Sequence, residues 1–170
     1  MSSDLRVELS KPIRLAEFLA AMGTVLREIL CLPTPVHLQC TLLEGGKRFE
    51  PSVEELQSSQ VFAIGVDGCD DEVYLVITPS VFTRGIQGSE LLSAGISVHG
   101  DDALAFALAA AAAVTLARMA NDKVVDDNLV WTESEESGPE SFLSKVKVAH
   151  RMSNIHVAAQ EFRRKMNKHS

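Results

Sequence analysis

Two short runs of acidic side chains have the residue types and spacing best suited to chemistry in this sequence. The first lies in DGCDDE and the second in VVDDNLVWTESEE. Their carboxylates are Asp67, Asp70, Asp71 and Glu72 in the first run, and Asp126, Asp127, Glu133, Glu135 and Glu136 in the second. Clustered carboxylates can coordinate a hard metal ion, act as acid and base, or present negative charge to a cationic partner.

The pattern does not favour a metal or cofactor site. A calcium loop requires oxygen ligands at alternating positions followed by a distant bidentate glutamate, and neither run has that order. His150 and His156 are six positions apart, so they do not share a helix face as ligands at i and i+4 would. The stretch GGKR at 45–48 lacks the spacing of a phosphate-binding loop. The sequence therefore predicts neither a metal site nor a cofactor.

Catalytic groups are the second possibility. His99 lies beside Asp101 and Asp102, but carboxylates so near in sequence rarely orient an imidazole, and no G-x-S-x-G motif is present. The acidic neighbours of Cys69 raise the pKa of its thiol. We therefore predict no catalytic residue. The alternative is a small enzyme whose site is assembled from scattered residues such as His99, Asp101 and Asp127.

The distribution of charge favours a protein–protein contact. The chain has a formal net charge of −7, with +6 on residues 145–170 and therefore −13 on residues 1–144. Such a body repels nucleic acid and anionic membranes and attracts a cationic protein surface. The carboxylates of the two runs are therefore the predicted partner-binding residues. The alternative is that the excess of acid only keeps the protein soluble.

Hydrophobic periodicity predicts the elements that position these runs. LRVELS alternates as a half-buried strand, and the segment from Pro12 to Pro33 carries the apolar stripe of an amphipathic helix. Further strands are predicted at 36–43, 61–66, 72–78 and 96–100. The acidic DGCDD turn joins two of them as a central antiparallel hairpin. Residues 44–60 are predicted to form a loop with one helical turn at 52–58, and residues 79–95 an irregular crossing.

A run of fifteen uncharged residues, 103–117, raises the question of a membrane helix. A spanning helix needs about 20 apolar residues to cross roughly 30 Å of hydrocarbon, whereas this run reaches only about 22 Å. Its alanines suit close packing against a sheet or another helix. We predict a buried core helix that is capped by Asp101 or Asp102.

The C-terminal part is predicted to end in a long helix. Residues 123–131 fit two short strands around an Asp-Asp-Asn turn, and an acidic loop follows. Pro139 suits the start of a helix over 140–168, in which apolar residues recur every three or four positions. A break near His150 is compatible with this pattern. The helix either packs on the body or projects from it.

The order of elements predicts a single α+β domain over residues 1–170. We expect a two-layer sandwich, with a mainly antiparallel sheet of five to six strands, helices on one face and a long C-terminal helix. The N-terminal MSSDLRVELSK has charges where a secretion signal needs an apolar segment. Three cysteines without ligand spacing suit a reducing compartment. Both features favour a cytoplasmic location.

The stretch LAFALAAAAAVTLARMAND followed by VVDDNLVW, within residues 104–131, resembles small bacterial α/β proteins of unknown function. Some proteins of that type are immunity proteins that neutralise a toxin. The resemblance implies a cytoplasmic binding protein whose acidic surface covers the active site of a cationic toxin. It contains no defining motif, so no residue role is transferred from it.

A dimeric secretion-type chaperone or scaffold is the remaining alternative. In that interpretation the helix at 140–168 projects and forms a homodimer. A charge introduced at Ile155 or Phe162 would then abolish a concentration-dependent increase in mass.

Overall fold

The computed structural model describes residues 3–80 and 91–167. The strands in this part of the chain are β1 (Ser3–Leu9), β2 (Leu38–Glu44), β3 (Lys47–Phe49), β4 (Val61–Val66), β5 (Glu72–Pro79), β6 (Leu92–Val98), β7 (Val124–Val125) and β8 (Glu136–Ser137). The helices are α1 (Leu15–Ile29), α2 (Ala103–Ala120), α3 (Pro139–Val146) and α4 (Ile155–Met166). The strands form one antiparallel sheet in the order β3-β2-β4-β5-β6-β1-β7-β8. The predicted α+β class and antiparallel sheet are confirmed.

Alternation of side chains along the central strands gives the sheet one apolar face. Val73, Leu75 and Ile77 of β5 are buried, and the side chains between them are partly exposed. Leu75 lies opposite Phe62 of β4 and Ile96 of β6, so a row of large apolar side chains crosses the sheet. Such a face must be covered by a second layer to be stable.

Helix α2 covers this face and is itself enclosed. Fifteen of its 18 residues are buried, and it contacts β1, β5 and β6 as well as all three other helices. Small alanine side chains allow neighbouring elements to approach the helix axis closely. By length and hydropathy α2 could cross a membrane, but 83% of it is buried inside the fold. The predicted core helix is therefore confirmed.

Helix α1 packs beside α2 through the predicted apolar stripe. Phe18, Met22 and Leu26 are fully buried on this stripe. Gly23 lies where the backbone carbonyl of Val36 comes so close that a Cβ atom would collide with its oxygen. A larger residue at this position would force the helix away from the start of β2.

The prediction of five to six strands is wrong in number, because the described part of the sheet has eight. The strands β3, β7 and β8 contain only two or three residues, which is too few for a period of two to be recognised. Within residues 123–131 only β7 forms, and its partner is β8 rather than a second strand of that segment.

The segments around β3 and before β6 also differ from the prediction. The helical turn expected at 52–58 is absent, and Arg14 forms an isolated bridge with Glu55 instead. The irregular crossing expected at 79–95 includes residues 81–90, which lie outside the described residues. Strand β6 begins at Leu92, four residues before the strand expected there.

The long helix predicted at 140–168 is two shorter helices. Helix α3 ends at Val146, and eight residues separate it from α4. Within this connection the N–H of Val148 donates to the carbonyl of Ile29 at 2.8 Å, which ties the chain to the end of α1. The break falls where the sequence pattern was compatible with one, near His150.

Helix α4 packs on the body of the protein and does not project from it. Its apolar side is buried and contacts α2. Phe162, one of the two residues expected in a homodimer contact, is completely buried in the core. Dimerisation through Phe162 is therefore inconsistent with this packing.

Candidate functional site

The antiparallel topology brings three acidic loops to the same end of the sheet. The β4–β5 turn lies where β5 begins, and Tyr74 of β5 is opposite Ser97 near the end of β6. The junction between β6 and α2 is therefore at that end as well. Strand β1 is antiparallel to both β6 and β7. Strand β7 therefore runs in the same direction as β6, towards the same end of the sheet. We call residues 67–71, 99–102 and 126–135 together the acidic end.

The β4–β5 turn carries the first predicted group. The N–H of Asp67 donates to the carbonyl of His37, and the N–H of Cys69 donates to the carbonyl of Val66 at 2.9 Å. Gly68 adopts φ 78°, a conformation that favours glycine and allows the tight turn. These bonds hold the turn while Asp67 and Asp70 remain exposed.

The junction between β6 and α2 adds two carboxylates, Asp101 and Asp102, that were not among the predicted partner-binding residues. Asp102 occupies the N-cap position of α2, but its side chain makes no capping hydrogen bond. Burial raises the pKa of the Asp71 carboxyl, the charge of Asp102 raises it further, and His156 opposes the shift. Asp71 and Asp102 are thus close enough to repel each other. Their proximity crosses two loops and was not visible in the sequence.

Asp101 is held differently from Asp102. Its carboxylate is 3.5 Å from the guanidinium of Arg163 in α4, and its side chain is 98% exposed. The same guanidinium stacks over the ring of Phe106 at 3.6 Å, which fixes the position of its charge. One arginine of the basic C-terminal segment therefore pairs with one carboxylate of the acidic end.

Cys69 and His156 also meet at this end. The sulfur of Cys69 is 3.8 Å from Nε2 of His156. Burial, and then the charges of Asp71, Asp70 and Asp67, raise the pKa of the thiol, as the sequence predicted. A thiol in this setting is a poor nucleophile at neutral pH, so contact with an imidazole does not make Cys69 a catalytic residue.

Glu72 pairs with a side chain of another strand and not with a residue of the β4–β5 turn. Its carboxylate accepts two hydrogen bonds from the guanidinium of Arg48, one of them at 2.8 Å. This bidentate pair fixes the orientation of both side chains. The negative charge of Glu72 is therefore already matched within the protein, unlike those of Asp67 and Asp70.

Asp126 is a structural residue, not an exposed partner-binding residue as we predicted. It is 1% exposed. One oxygen accepts from the N–H of Trp131 at 2.8 Å and of Thr132 at 2.9 Å, and the other from the N–H of Val130 at 3.2 Å. A buried carboxylate satisfies these three donors at once. It thereby fixes the path of the loop between β7 and β8.

The loop that Asp126 fixes presents a leucine at its tip. Leu129 adopts φ 52°, a left-handed conformation that a branched side chain rarely accepts. Its side chain is 51% exposed. The N–H of Leu129 donates to the carbonyl of Asp126 at 3.2 Å. An exposed apolar side chain on a strained but well-held loop is a feature typical of contact sites.

The other carboxylates of the second predicted group divide into two kinds. Asp127 pairs with Arg6 at 3.4 Å, and Glu136 pairs with Lys123 at 2.8 Å. The hydrogen bond from Lys123 holds the pKa of the Glu136 carboxyl below its ordinary value. Glu133 and Glu135, by contrast, are exposed.

Apart from the buried Asp126, six carboxylates of the acidic end form no ion pair with any described lysine or arginine. They are Asp67, Asp70, Asp71, Asp102, Glu133 and Glu135. The strands β5 and β7 are three strand spacings apart in the sheet, or about 14 Å. The two predicted groups thus share one end of the sheet as neighbouring patches, not as one continuous cluster.

The three residues of the alternative enzyme site, His99, Asp101 and Asp127, each contact a different side chain. The ring of His99 packs edge-on against Tyr74, with 5.0 Å between their centroids. Asp101 pairs with Arg163 and Asp127 with Arg6. Among the described residues, no group of three His, Cys, Asp or Glu side chains is placed to hold a metal ion.

No family model, curated protein or solved structure matches this chain. The resemblance to immunity proteins therefore stays a prediction.

Proposed function

We propose that this protein is a non-catalytic binding protein whose acidic end covers a cationic surface of a protein partner. The observation that carries the proposal is the gathering of three loops at one end of the sheet. Apart from the buried Asp126, six of their carboxylates are not paired with a described lysine or arginine. Folding alone does not require this arrangement, because like charges held close together destabilise the folded state.

The repulsion between Asp71 and Asp102 indicates which charges a partner would address. Burial and the neighbouring carboxylate both raise the pKa of Asp71, so the ionised pair is unfavourable in the free protein. A lysine or arginine of a partner placed between the two carboxylates would relieve this repulsion. Negative potential over the whole end would also accelerate encounter with a basic protein, most strongly at low salt.

Leu129 supplies the apolar part of the proposed contact. Interfaces obtain most of their affinity from a few buried anchors, and charges at the rim contribute mainly to association rate and specificity. Leu129 extends from a loop whose path Asp126 fixes, so little conformational entropy would be lost when it is buried. We infer a partner with a small apolar pocket surrounded by basic side chains.

The resemblance at residues 104–131 favours a toxin as this partner, and the protein would then be an immunity protein acting in the cytoplasm. The active site of a nuclease toxin is basic because it must hold phosphates. An acidic protein that covers such a site would block access of the substrate.

The proposal is tested by affinity capture with charge-reversal variants. Tagged wild-type protein, Asp70→Lys/Asp71→Lys and a control, Glu54→Lys/Glu55→Lys, are used to capture proteins from the source cells and eluted with a salt gradient. The control makes the same change of charge near the start of α1, at the opposite end of the sheet. We expect one stoichiometric basic protein, identified by mass spectrometry, with the wild type and the control but not with the first variant.

Two outcomes contradict the proposal. Equal retention of the partner by the wild type and Asp70→Lys/Asp71→Lys would exclude the β4–β5 turn from the interface. Recovery of the protein alone would oppose the binding function and would favour the enzyme or homo-oligomer alternatives.

A further inference from the structure

A pocket lies between the β7–β8 loop, α3 and α4. Its volume is about 390 Å³, within the range of sites that bind small molecules. Trp131 and Met166 form the apolar part of its wall, and Lys145, Lys165 and Glu133 supply charge. None of these side chains has a role in the sheet, and only Glu133 belongs to the proposed partner contact.

The apolar wall is rigid. Trp131 is 3% exposed, and its ring packs against Phe106 at 5.2 Å and against Phe142 and Phe162 at 6.4 Å between centroids. Asp126 additionally accepts a hydrogen bond from the Trp131 N–H of the main chain. The indole Nε1 is closed to solvent and has no hydrogen-bond acceptor among the described residues.

The positive charge at the pocket comes from two lining lysines, Lys165 and Lys145. Nζ of Lys165 donates to the carbonyl of Lys147 at 2.6 Å, which leaves two of its three donors free of that bond. Burial lowers the pKa of Lys165, a cost that a bound anion would offset. Lys145 is exposed beside it. The hydroxyl of Ser144 donates its hydrogen to the carbonyl of Ser141 at 2.8 Å. Its oxygen can still accept a hydrogen bond.

Glu133 limits the negative charge that a ligand in this pocket can carry. Its carboxylate lines the same pocket and forms no ion pair with the two lysines. The pocket therefore carries two positive charges and one negative charge, and it favours a monoanion over a dianion such as a phosphate monoester.

We propose that this pocket binds a small amphipathic monocarboxylate, with the carboxylate on Lys165 and Lys145 and the apolar body against Trp131 and Met166. The two lysines and the apolar wall lie outside the proposed partner contact, with which this site shares only Glu133. The ligand need not be present for the protein to fold, because the aromatic cluster behind Trp131 is already packed.

The test uses the intrinsic fluorescence of Trp131, which is the single tryptophan of the sequence. Purified protein is titrated with 3-phenylpropanoate, and with 3-phenylpropan-1-ol and 3-phenylpropylamine as neutral and cationic controls of the same shape. We expect a saturable change with the carboxylate, with a Kd of about 1 mM or tighter, and binding at least about tenfold weaker for both controls.

Variants with opposite expected effects make the test sharper. Lys165→Met should weaken binding of the carboxylate by about tenfold or more, because a charge-assisted hydrogen bond is lost. Glu133→Gln should strengthen binding a few-fold, because repulsion of the ligand carboxylate is removed. Lys47→Met is the control. It lies on β3, at the opposite edge of the sheet from β8, and should leave binding unchanged. Circular dichroism verifies that each variant is folded.

The proposal is overturned by any of three results. These are a fluorescence change that is not saturable, equal affinity for the carboxylate and the alcohol, or unchanged affinity in both Lys165→Met and Lys145→Met. Because no partner protein is used, failure here would leave the proposed partner contact unaffected.

Discussion

Replacing Asp126 with alanine separates the structural role of this residue from the role in partner binding that its sequence context suggested. The carboxylate is 1% exposed and accepts from three backbone N–H groups at 2.8, 2.9 and 3.2 Å. Alanine removes all three acceptor contacts. The N–H groups of Trp131 and Thr132 are buried beneath the loop, so water does not readily replace the lost carboxylate.

The magnitude follows from the number of donors left without an acceptor. An unsatisfied buried donor costs about 1–3 kcal/mol. Two such donors, together with a third that is half-buried, predict that the free energy of unfolding falls by about 3–5 kcal/mol. Asp126→Asn should lose roughly half as much, because one amide oxygen can still accept from Trp131 and Thr132.

Urea unfolding followed by tryptophan fluorescence measures this loss. Asp127→Ala is the matched control, since its pairs with Arg6 are 3.4 Å long and exposed and such pairs contribute about 0–1 kcal/mol. In thermal unfolding, Asp126→Ala should lower Tm by at least about 6 °C. A loss for Asp126→Ala no larger than that for Asp127→Ala would refute the assignment of Asp126 as the residue that fixes the loop.

Four further predictions concern single sites. Leu129→Gly should raise the free energy of unfolding by up to about 1 kcal/mol in urea, because glycine accepts a positive φ without strain; a loss of stability would contradict this. Gly23→Ala should cost about 1–3 kcal/mol in the same assay, because its Cβ would collide with the carbonyl of Val36, whereas a neutral result would mean that α1 shifts freely. Asp71→Asn should stabilise the protein near neutral pH, because the raised pKa of Asp71 means that folding disfavours its ionised form. That gain should disappear as the pH falls through the folded pKa towards the ordinary value of 3.8, and a gain that grows at low pH would contradict the sign. Iodoacetamide should modify Cys40 more slowly than Cys69 in quantitative mass spectrometry, because burial raises the pKa of Cys40 to about 12; the reverse order would contradict the burial of Cys40.

Long periodic segments of this sequence predict their structure well. The stripe that contains Phe18 and Met22 forms α1, the alanine run forms α2, and the runs at 61–66 and 72–78 form the central hairpin. In each case the pattern extends over enough residues for one period to be distinguished from another. The strands β7 and β8 have two residues each, and they form because β7 pairs with the distant β1 and β8 pairs with β7.

Features that depend on distant contacts could not be predicted. The break after α3 is stabilised by the hydrogen bond from the N–H of Val148 to the carbonyl of Ile29. No local sequence pattern predicts that contact. Asp126 and Asp127 are neighbours of the same type, yet one is buried and the other exposed. Burial of a carboxylate is decided by the donors around it, which only the fold reveals.

No local pattern indicates that Asp101 and Asp102 belong with the β4–β5 turn. An aspartate that immediately precedes a predicted helix is expected to cap that helix, whatever else is near it in space. The register of β5 and β6 brings their two loops to one end of the sheet, where the charge of Asp102 acts on Asp71. The acidic runs themselves could be identified, but their grouping required the strand order.

The enclosure of α2 has a consequence for damaged or incomplete forms of this protein. Removing α4, whose buried side contacts α2, would uncover part of a helix whose 18 residues have a mean hydropathy of 1.8. That surface would then partition into lipid bilayers or bind chaperones that recognise apolar segments. Truncation within α4 is therefore expected to convert a protein with a charged exterior into one that is captured by cellular quality control.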